Sequence, residues 1–298
     1  MDIIPRPAPD LLMAQYWFGE ISGDICIPFA SRDPQHLSER LDSLIDDPEQ
    51  YTPFSWESAK DCGYIGSRHE YVQVLRSLCI FRAERDLATI SRHPEQEILH
   101  MVRMLDQVDE AVNLLAEKAL DWHAAKDPTF SRKYRHVRGR KAREILLGSE
   151  NHLVRAIAQE LTALSDVRET LSKEVMTLTS GVMPNSSRLV GGVVAARLLS
   201  SAGGLSRLAR LPAGSIQVLG AGPALFSHLN SGSPSPKHGI LFQHQRVHSS
   251  TKERRGNIAR TLAAKLAIAV KIDYYRGRVD PEFLESAERA LKRAGGRP

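Results

Sequence analysis

The residues between 237 and 260 carry the chemistry that is easiest to name. Lys237, His238 and Gly239 follow Pro234 and Pro236, and each proline pushes the residue before it toward an extended conformation, so the trio is presented on a stiff stalk. The side-chain donors of Lys237 and His238, with the main chain bared at Gly239, suit a phosphate. Further on, 252-KERRG-256 opens a helix with three cations, Lys252, Arg254 and Arg255, among its first four residues. Helix starts favour Asp and Glu, and a cation there costs about 0.3–1 kcal/mol, so an anion is expected nearby. A phosphate on the unpaired helix N–H groups fits, with Gly256 leaving room and Arg260 continuing the strip one to two turns on. Lys265 and Lys271 read as ordinary solvated lysines. His244 and His248 have a spacing that metals use, with His238 six residues before the first. No carboxylate or cysteine accompanies them and the segment is cationic, so they read as phosphate contacts or exposed side chains rather than metal ligands.

Nothing comparable points to catalysis. The glycines of 220-GAGP-223 are too little for a phosphate loop, and no G-x-x-x-x-G-K-S/T, paired carboxylate or nucleophile motif stands out. No catalytic centre, no cofactor and no metal are expected, and the chain reads as a binding protein.

The charge distribution supports this. The net +5 of the 298 residues hides an asymmetry: residues 1–183 carry 22 Lys/Arg against 29 Asp/Glu, and residues 184–298 carry 18 against 6. No Asp or Glu occurs between Val175 and Lys252. Such a field attracts polyanions, of which nucleic acid is the commonest in a cell. Cys26, Cys62 and Cys79 lie far apart without a C-x-x-C pair, so neither a disulfide framework nor a zinc module is expected, and a reducing cytosol fits. No run of about 18 apolar residues occurs, so neither a membrane span nor a signal peptide is expected.

The elements that must position the cations follow from periodicity. Residues 14–30 read as two short apolar runs of a hairpin around Gly19, Ser22 and Gly23. In 33-DPQHLSERLDSLI-45, Leu37, Leu41, Leu44 and Ile45 recur at helical spacing behind the capping residue Asp33. The aromatics Tyr16, Trp17, Phe18, Phe54 and Trp56 read mainly as core, with a partner surface as the lesser alternative. From Ile98 a heptad appears, Ile98, Met101, Leu105, Val108, Val112, Leu115, Ala119 and Trp122; a second seam has Ile157, Leu164, Leu171 and Leu178 seven apart, with Leu153, Leu161, Val167 and Val175 between. Leu105, Val108, Val112 and Leu115 are expected to face Leu164 and Leu171 in an antiparallel coiled-coil hairpin roughly 40 Å long. The basic run 131–143 between them reads as a solvated connection. Beyond Gly181 and Pro184, small-residue-rich helices are expected over 187–203, 204–211, 221–229, 255–275 and 281–294, with a long functional loop at 230–256. The fold class is mostly α: a small α/β amino-terminal domain (1–95), the hairpin (96–182) and an all-α carboxy-terminal domain (183–298).

The segments 184-PNSSRLVGGVVAARLLSSAGGLSRLARLPAGSIQVLGA-221, 224-ALFSHL-229, 236-PKHGILFQH-244 and 255-RGNIARTLAAKLAIAVKID-273 closely resemble the Nop domain family. The run 105-LDQVDEAVNLLAEKALDW-122 is similar to the start of that family's coiled coil, and 33-DPQHLSERL-41 more faintly to its amino-terminal domain. The resemblance implies a core scaffold of an archaeal, hence cytoplasmic, box C/D small ribonucleoprotein. Eukaryotic relatives are nucleolar Nop proteins and a pre-mRNA processing factor of the U4 particle. It implies binding of kink-turn guide RNA together with its small kink-turn-binding ribosomal-protein homologue, self-association through the coiled coil, and recruitment of fibrillarin, the methyltransferase, by the amino-terminal domain. Carried onto this chain, the RNA contacts are Lys237, His238, Gly239, His244, Lys252, Arg254, Arg255, Gly256 and Arg260, and the contacts to the kink-turn protein are Gly220, Ala221, Ala224, Leu225 and Phe226. The chain departs from the family where G-A-E-K becomes 220-GAGP-223 and where Asn257 replaces a lysine in 255-RGNIAR-260. The rival reading is a general basic nucleic-acid-binding protein that uses charge alone.

Overall fold

The computed structural model describes residues 13–22, 25–46, 55–126 and 137–295. The proline-rich start, Phe54 and the basic connection up to residue 136 lie outside the described residues. The chain divides into two compact units, Met1–Arg92 and His93–Pro298.

In the first unit the expected hairpin is a three-stranded antiparallel meander, β1 (Met13–Tyr16), β2 (Gly19–Ser22) and β3 (Ile25–Pro28), in that order. Trp17 and Phe18 form the two-residue turn between β1 and β2 and are buried rather than solvated. They are buried because the turn is folded inward as the core: Trp17 meets Phe18 and Tyr64 edge-on, at 5.7 and 5.8 Å. Helix α1 (Pro34–Asp46) starts as expected, with Asp33 Oδ1 accepting from the Gln35 N–H at 2.9 Å. Leu37 and Leu44 are buried, whereas Ile45 faces water. Arg40 fastens α1 to the sheet, its Nε donating to the Tyr16 carbonyl at 2.8 Å while its guanidinium lies over Phe29. Helices α2 (Trp56–Asp61) and α3 (Arg68–Ser91) complete the unit. Helix α3 escaped the sequence reading because only a narrow face, Tyr71, Val74, Leu75 and Leu78, packs, while Val72, Ile80, Leu87 and Ile90 are exposed and blur the period. The cysteine expectation is corrected: Cys26 and Cys62 form a disulfide, their Cα atoms 5.1 Å apart across a sequence separation of 36. Wide spacing says nothing once β3 folds back onto the end of α2. Cys79 is free and exposed.

The second unit is built on helices α4 (Pro94–Lys126) and α6 (His152–Val182), joined by a connection that contains α5 (Arg140–Leu147). At 33 residues α4 is about 50 Å long. Its early turns, Ile98, Leu99 and Val102, share a core with Val175, and its late ones, Val112 and Ala119, share one with Val154, Ala158 and Leu161, which makes the hairpin antiparallel. The seam is broader than the expected one. Met101 and Val108 are half-buried and packed as expected, and Val102, Asp109, Ala116 and His123 join the buried or half-buried positions one residue further on. Leu105 is 2 % exposed as expected, but Leu115 is 44 % exposed and Trp122 is also outside. On the returning helix Leu164 packs partly, Leu171 is half-buried, and Leu153 and Val167 face water. Asp109 and His123, polar groups that a hydrophobic pattern does not select, also enter the seam. Asp109 pairs with Arg168 of the returning helix and with Arg197 at 3.3 Å, and His123 Nδ1 lies 3.1 Å from Ser149 Oγ.

The helix expected over 187–203 is two helices, α7 (Pro184–Val190) and α8 (Gly192–Ala202), because Gly191 takes φ +87° between them. A Cβ at Gly192 would come within 2.8 Å of the Met176 Cα, so this pair of glycines lets the chain turn directly against α6. Helices α9 (Leu205–Arg210) and α10 (Ala213–Val218) follow, then α11 (Gly222–Ser231), a 3-10 turn (Ile240–Gln243), α12 (Gln245–His248), α13 (Arg255–Arg276) and α14 (Pro281–Gly295). Ala195, Ala196, Ala259, Ala263 and Ala269 are buried, and their small side chains let α8 and α13 pack into one core with the near end of the hairpin. Asp273 on α13 is buried and accepts from the Asn185 N–H, the Asn185 Nδ2 and the Ser186 N–H at 2.8–2.9 Å.

Two expectations follow. Leu105→Asp removes a seam contact and buries a carboxylate, so it unfolds the hairpin at a cost of several kcal/mol, whereas Leu115→Asp changes stability by no more than about 0.5 kcal/mol. Thermal melts followed by circular dichroism separate the two, and equal losses would return Leu115 to the seam. Asp273→Ala orphans three buried donors and lowers the stability of the second unit by about 4 kcal/mol, read by the same melts.

Candidate nucleic-acid interface

The long loop is a packed structure. From the end of α11 it passes Pro234 and Pro236 and returns across α10, where the Gly239 N–H donates to the Gln217 carbonyl at 2.9 Å and the Ile240 N–H to the Leu219 carbonyl at 2.8 Å. Gln217 Nε2 donates to the Lys237 carbonyl at 2.8 Å. A Cβ at Gly239 would overlap the Leu219 carbonyl. The close approach that Gly239 permits is therefore to the protein's own backbone, and its N–H is already used, which corrects the expectation of a main-chain donor at this residue.

The 3-10 turn and α12 carry an aromatic node. His238 stacks on Phe242 with centroids 4.6 Å apart, His248 leans on the same ring, and the Arg255 guanidinium lies 5.2 Å from its centroid. Arg255 also donates to the Ser250 and His248 carbonyls at 3.1 and 3.2 Å. The sequence marks Arg255 as a phosphate ligand; the structure shows it organising the turn that precedes α13. Arg254 reaches the Gly295 carbonyl at 3.0 Å and ties the start of α13 to the end of α14. His244 turns inward: it is half-buried, and its Nδ1 has no partner among the described residues.

The cations left over are Lys237, Lys252 and Arg260, all exposed and without a hydrogen bond or ion pair among the described residues. The stem of Lys237 packs on Gly256, with Cδ 3.6 Å from where a Cβ would stand. Lys237 and Arg260 line a cleft of about 430 Å³ together with Gln217, Ser235, Glu253 and Asn257. The sequence reading did not gather the last four. Gln217 is brought in from α10 by folding alone, and Glu253 and Asn257 carry no signal until the cleft gives them one. Beside this, α11 projects with no buried residue, Phe226 being 67 % and Leu229 73 % exposed, while Gly220 just before it sits under Ile240 and Ala221 caps it. Ala224 is exposed and Leu225 half-buried on the same helix.

Burial lowers the pKa of His238 below its ordinary 6.5, and the neighbouring charges of Arg255 and then Lys237 lower it further. Burial does the same to His244, reinforced by Arg246. The fold thus disfavours the protonated form of both rings.

An exposed apolar helix and unpaired cations thus lie together on an all-α unit carried by a long helical hairpin. A family profile described as "Nop, snoRNA binding domain, fibrillarin" matches residues 102–293, and the chain belongs to the Nop family. It is 28 % identical over 269 residues to an uncharacterized NOP5 family protein of Methanocaldococcus jannaschii, covering 78 % of this chain and 65 % of that protein. To nucleolar protein 58 of Lodderomyces elongisporus it is 30 % identical over 214 residues, 60 % of this chain and 41 % of that one. The chain thus spans less than two thirds of either relative. Among solved structures, a crystal structure of a fibrillarin/Nop5p complex matches over 95 % of this chain and 99 % of the other, with 28 % identity and a TM-score of 0.48.

The depressed histidine pKa values fix a pH dependence. Below 6.5 the unfolded chain binds protons that the folded rings refuse, so stability is full above 6.5 and is lost as pH falls toward the lowered folded values. Melts at about pH 7.5 and about pH 5.5 should show a smaller acid loss for the double variant His238→Gln, His244→Gln than for the parent. An unchanged loss would place the acid-sensitive groups elsewhere.

Proposed function

We propose that the chain is the non-catalytic core scaffold of a box C/D small ribonucleoprotein. In this reading the second unit binds kink-turn guide RNA with its small kink-turn-binding protein, and the first unit recruits fibrillarin for 2′-O-methylation of ribosomal or transfer RNA. The observation that supports it best is the set of unpaired cations Lys237, Lys252 and Arg260 within the family-matching segment, on the loop before α13 and on α13 itself. Exposed cations that make no internal pair are available to phosphates. Helix α11, with Phe226 and Leu229 bare, offers the small protein an apolar face next to the RNA contacts. Asp106 and Asp109 pair with Arg197, whose Nη1 donates to Gln243 in the 3-10 turn at 2.7 Å, so the hairpin braces the RNA-facing loop. On the hairpin, Met104, Leu115 and Trp122 are exposed at spacings of eleven and seven residues, hence on one face, and this strip suits self-association.

Lys237→Ala and Arg260→Ala should each remove about one phosphate contact and flatten the slope of log K against log salt by a little under one unit, with the melting temperature unchanged. The titrations use kink-turn RNA preloaded with its small protein, and a plain duplex of equal length. Equal affinity for the two would leave only a general basic binder. Removing residues 1–95 should abolish fibrillarin capture and spare RNA binding; retained capture would move that contact to the second unit.

A further inference from the structure

The cleft beside Lys237 holds a mixture of groups that backbone binding does not explain. At about 430 Å³ it falls in the range of about 300–1,000 Å³ that small-ligand sites occupy. Lys237 and Arg260 are suited to phosphate, but Glu253 lies in the same cleft, and a carboxylate in a phosphate groove is repulsive unless it meets N–H donors. Glu253 has no hydrogen bond and no ion pair with Lys237, Arg260 or any other described residue, so it is not there to neutralise the cations. Asn257 stands four residues on, in the first turn of α13, with its side-chain amide equally uncommitted. Gln217 gives one amide N–H to the Lys237 carbonyl and keeps its second N–H and its acceptor oxygen.

We propose that this cleft takes one unstacked guanosine nucleotide of the bound RNA, read by Glu253 and Asn257. The assignment rests on the RNA-binding reading above and adds a base to it. A carboxylate accepts two parallel N–H bonds best, and guanine is the one base whose Watson–Crick edge sets two donors, N1–H and N2–H, side by side. Beside them O6 accepts, matching the Asn257 amide donor. Adenine and cytosine present one amino group flanked by an acceptor that the carboxylate repels, and uracil one N–H between two carbonyls. Lys237 and Arg260 then hold the phosphates that flank the nucleotide. A base reaches such a cleft only from a loop, bulge or strand end, which is where proteins read RNA sequence.

The test uses the full chain and four heptauridine-based oligonucleotides whose central residue is G, A, C or U, with GMP as a fifth probe. The central-G oligonucleotide should bind about tenfold more tightly than the other three, the size expected of one bidentate base contact. Glu253→Gln, which keeps the shape and removes the charge, should bring G down to the level of the others and leave those within about twofold. If Glu253→Gln instead tightens all four alike, the carboxylate is only a repulsive charge and the assignment falls. GMP, which lacks the neighbouring backbone, should bind at least tenfold more weakly than the central-G strand; equal or tighter binding makes the cleft a free-nucleotide site and overturns the assignment to RNA. Arg260→Ala should weaken all four strands together. If it does and no base preference exists, the guanosine site alone is refuted; if it does not, the cationic surface fails as well.

Discussion

Asp273 accepts three hydrogen bonds from residues almost ninety positions earlier in the chain, and the second unit is organised around that fact. Helix α7 begins directly after the hairpin helix ends, at Pro184, and its first N–H groups have no capping side chain of their own. Unpaired buried donors are costly, and the carboxylate supplies what the local sequence omits. Asn185 completes the joint by donating to the Arg278 carbonyl and accepting from the Asp280 N–H at 2.8 Å each. The end of the hairpin, the start of α7, the end of α13 and the start of α14 thus share one buried polar node. Because it fixes α13 at its carboxy-terminal end, the opposite end can carry unpaired cations without having to hold the fold.

The same separation appears among the cations. Arg197, Arg254 and Arg255 satisfy carbonyls or carboxylates and shape the loop, whereas Lys237, Lys252 and Arg260 satisfy nothing internal. A guanidinium has five donors in a fixed fork and can bridge several fixed acceptors, which suits the structural posts. Lys237 and Lys252 are lysines, whose single flexible charge can follow a mobile phosphate. Arg255 stands between the classes, since its guanidinium braces Phe242, the ring on which His238 stacks.

How much of this could be read in advance depends on whether the decisive partner was local. The cap at Asp33, the hairpin helices and the helix at 255–276 rest on neighbours within a turn or two, and their sequence pattern announces them. The seam differs from its pattern at Leu115 and Trp122, which the pattern rewards, while the structure seats Ala116 and His123, and Asp109 enters beside Val108. Asp109 and His123 have partners in Arg168, Arg197 and Ser149, which a pattern within one helix does not see. The Cys26–Cys62 bridge and the meander escaped for the same reason. At the interface the cationic character was legible, but not the division between bound and free cations, and the cleft was invisible because Gln217 and Lys237 meet across 20 residues.

A consequence concerns the departures at 220-GAGP-223 and Asn257. Removing a Glu and a Lys from the segment before α11 leaves that helix starting at a glycine and a proline, with apolar side chains outward and no charge to orient a partner. Recognition there then relies on shape and apolar area, which are tolerant of sequence. Replacing a lysine by Asn257 does the opposite: it withdraws a charge that any phosphate would satisfy and installs an amide whose donor and acceptor are directional. In the proposed reading, discrimination would shift from α11 toward the cleft, where a neutral amide and an unpaired carboxylate stand among cations that alone would bind every RNA alike.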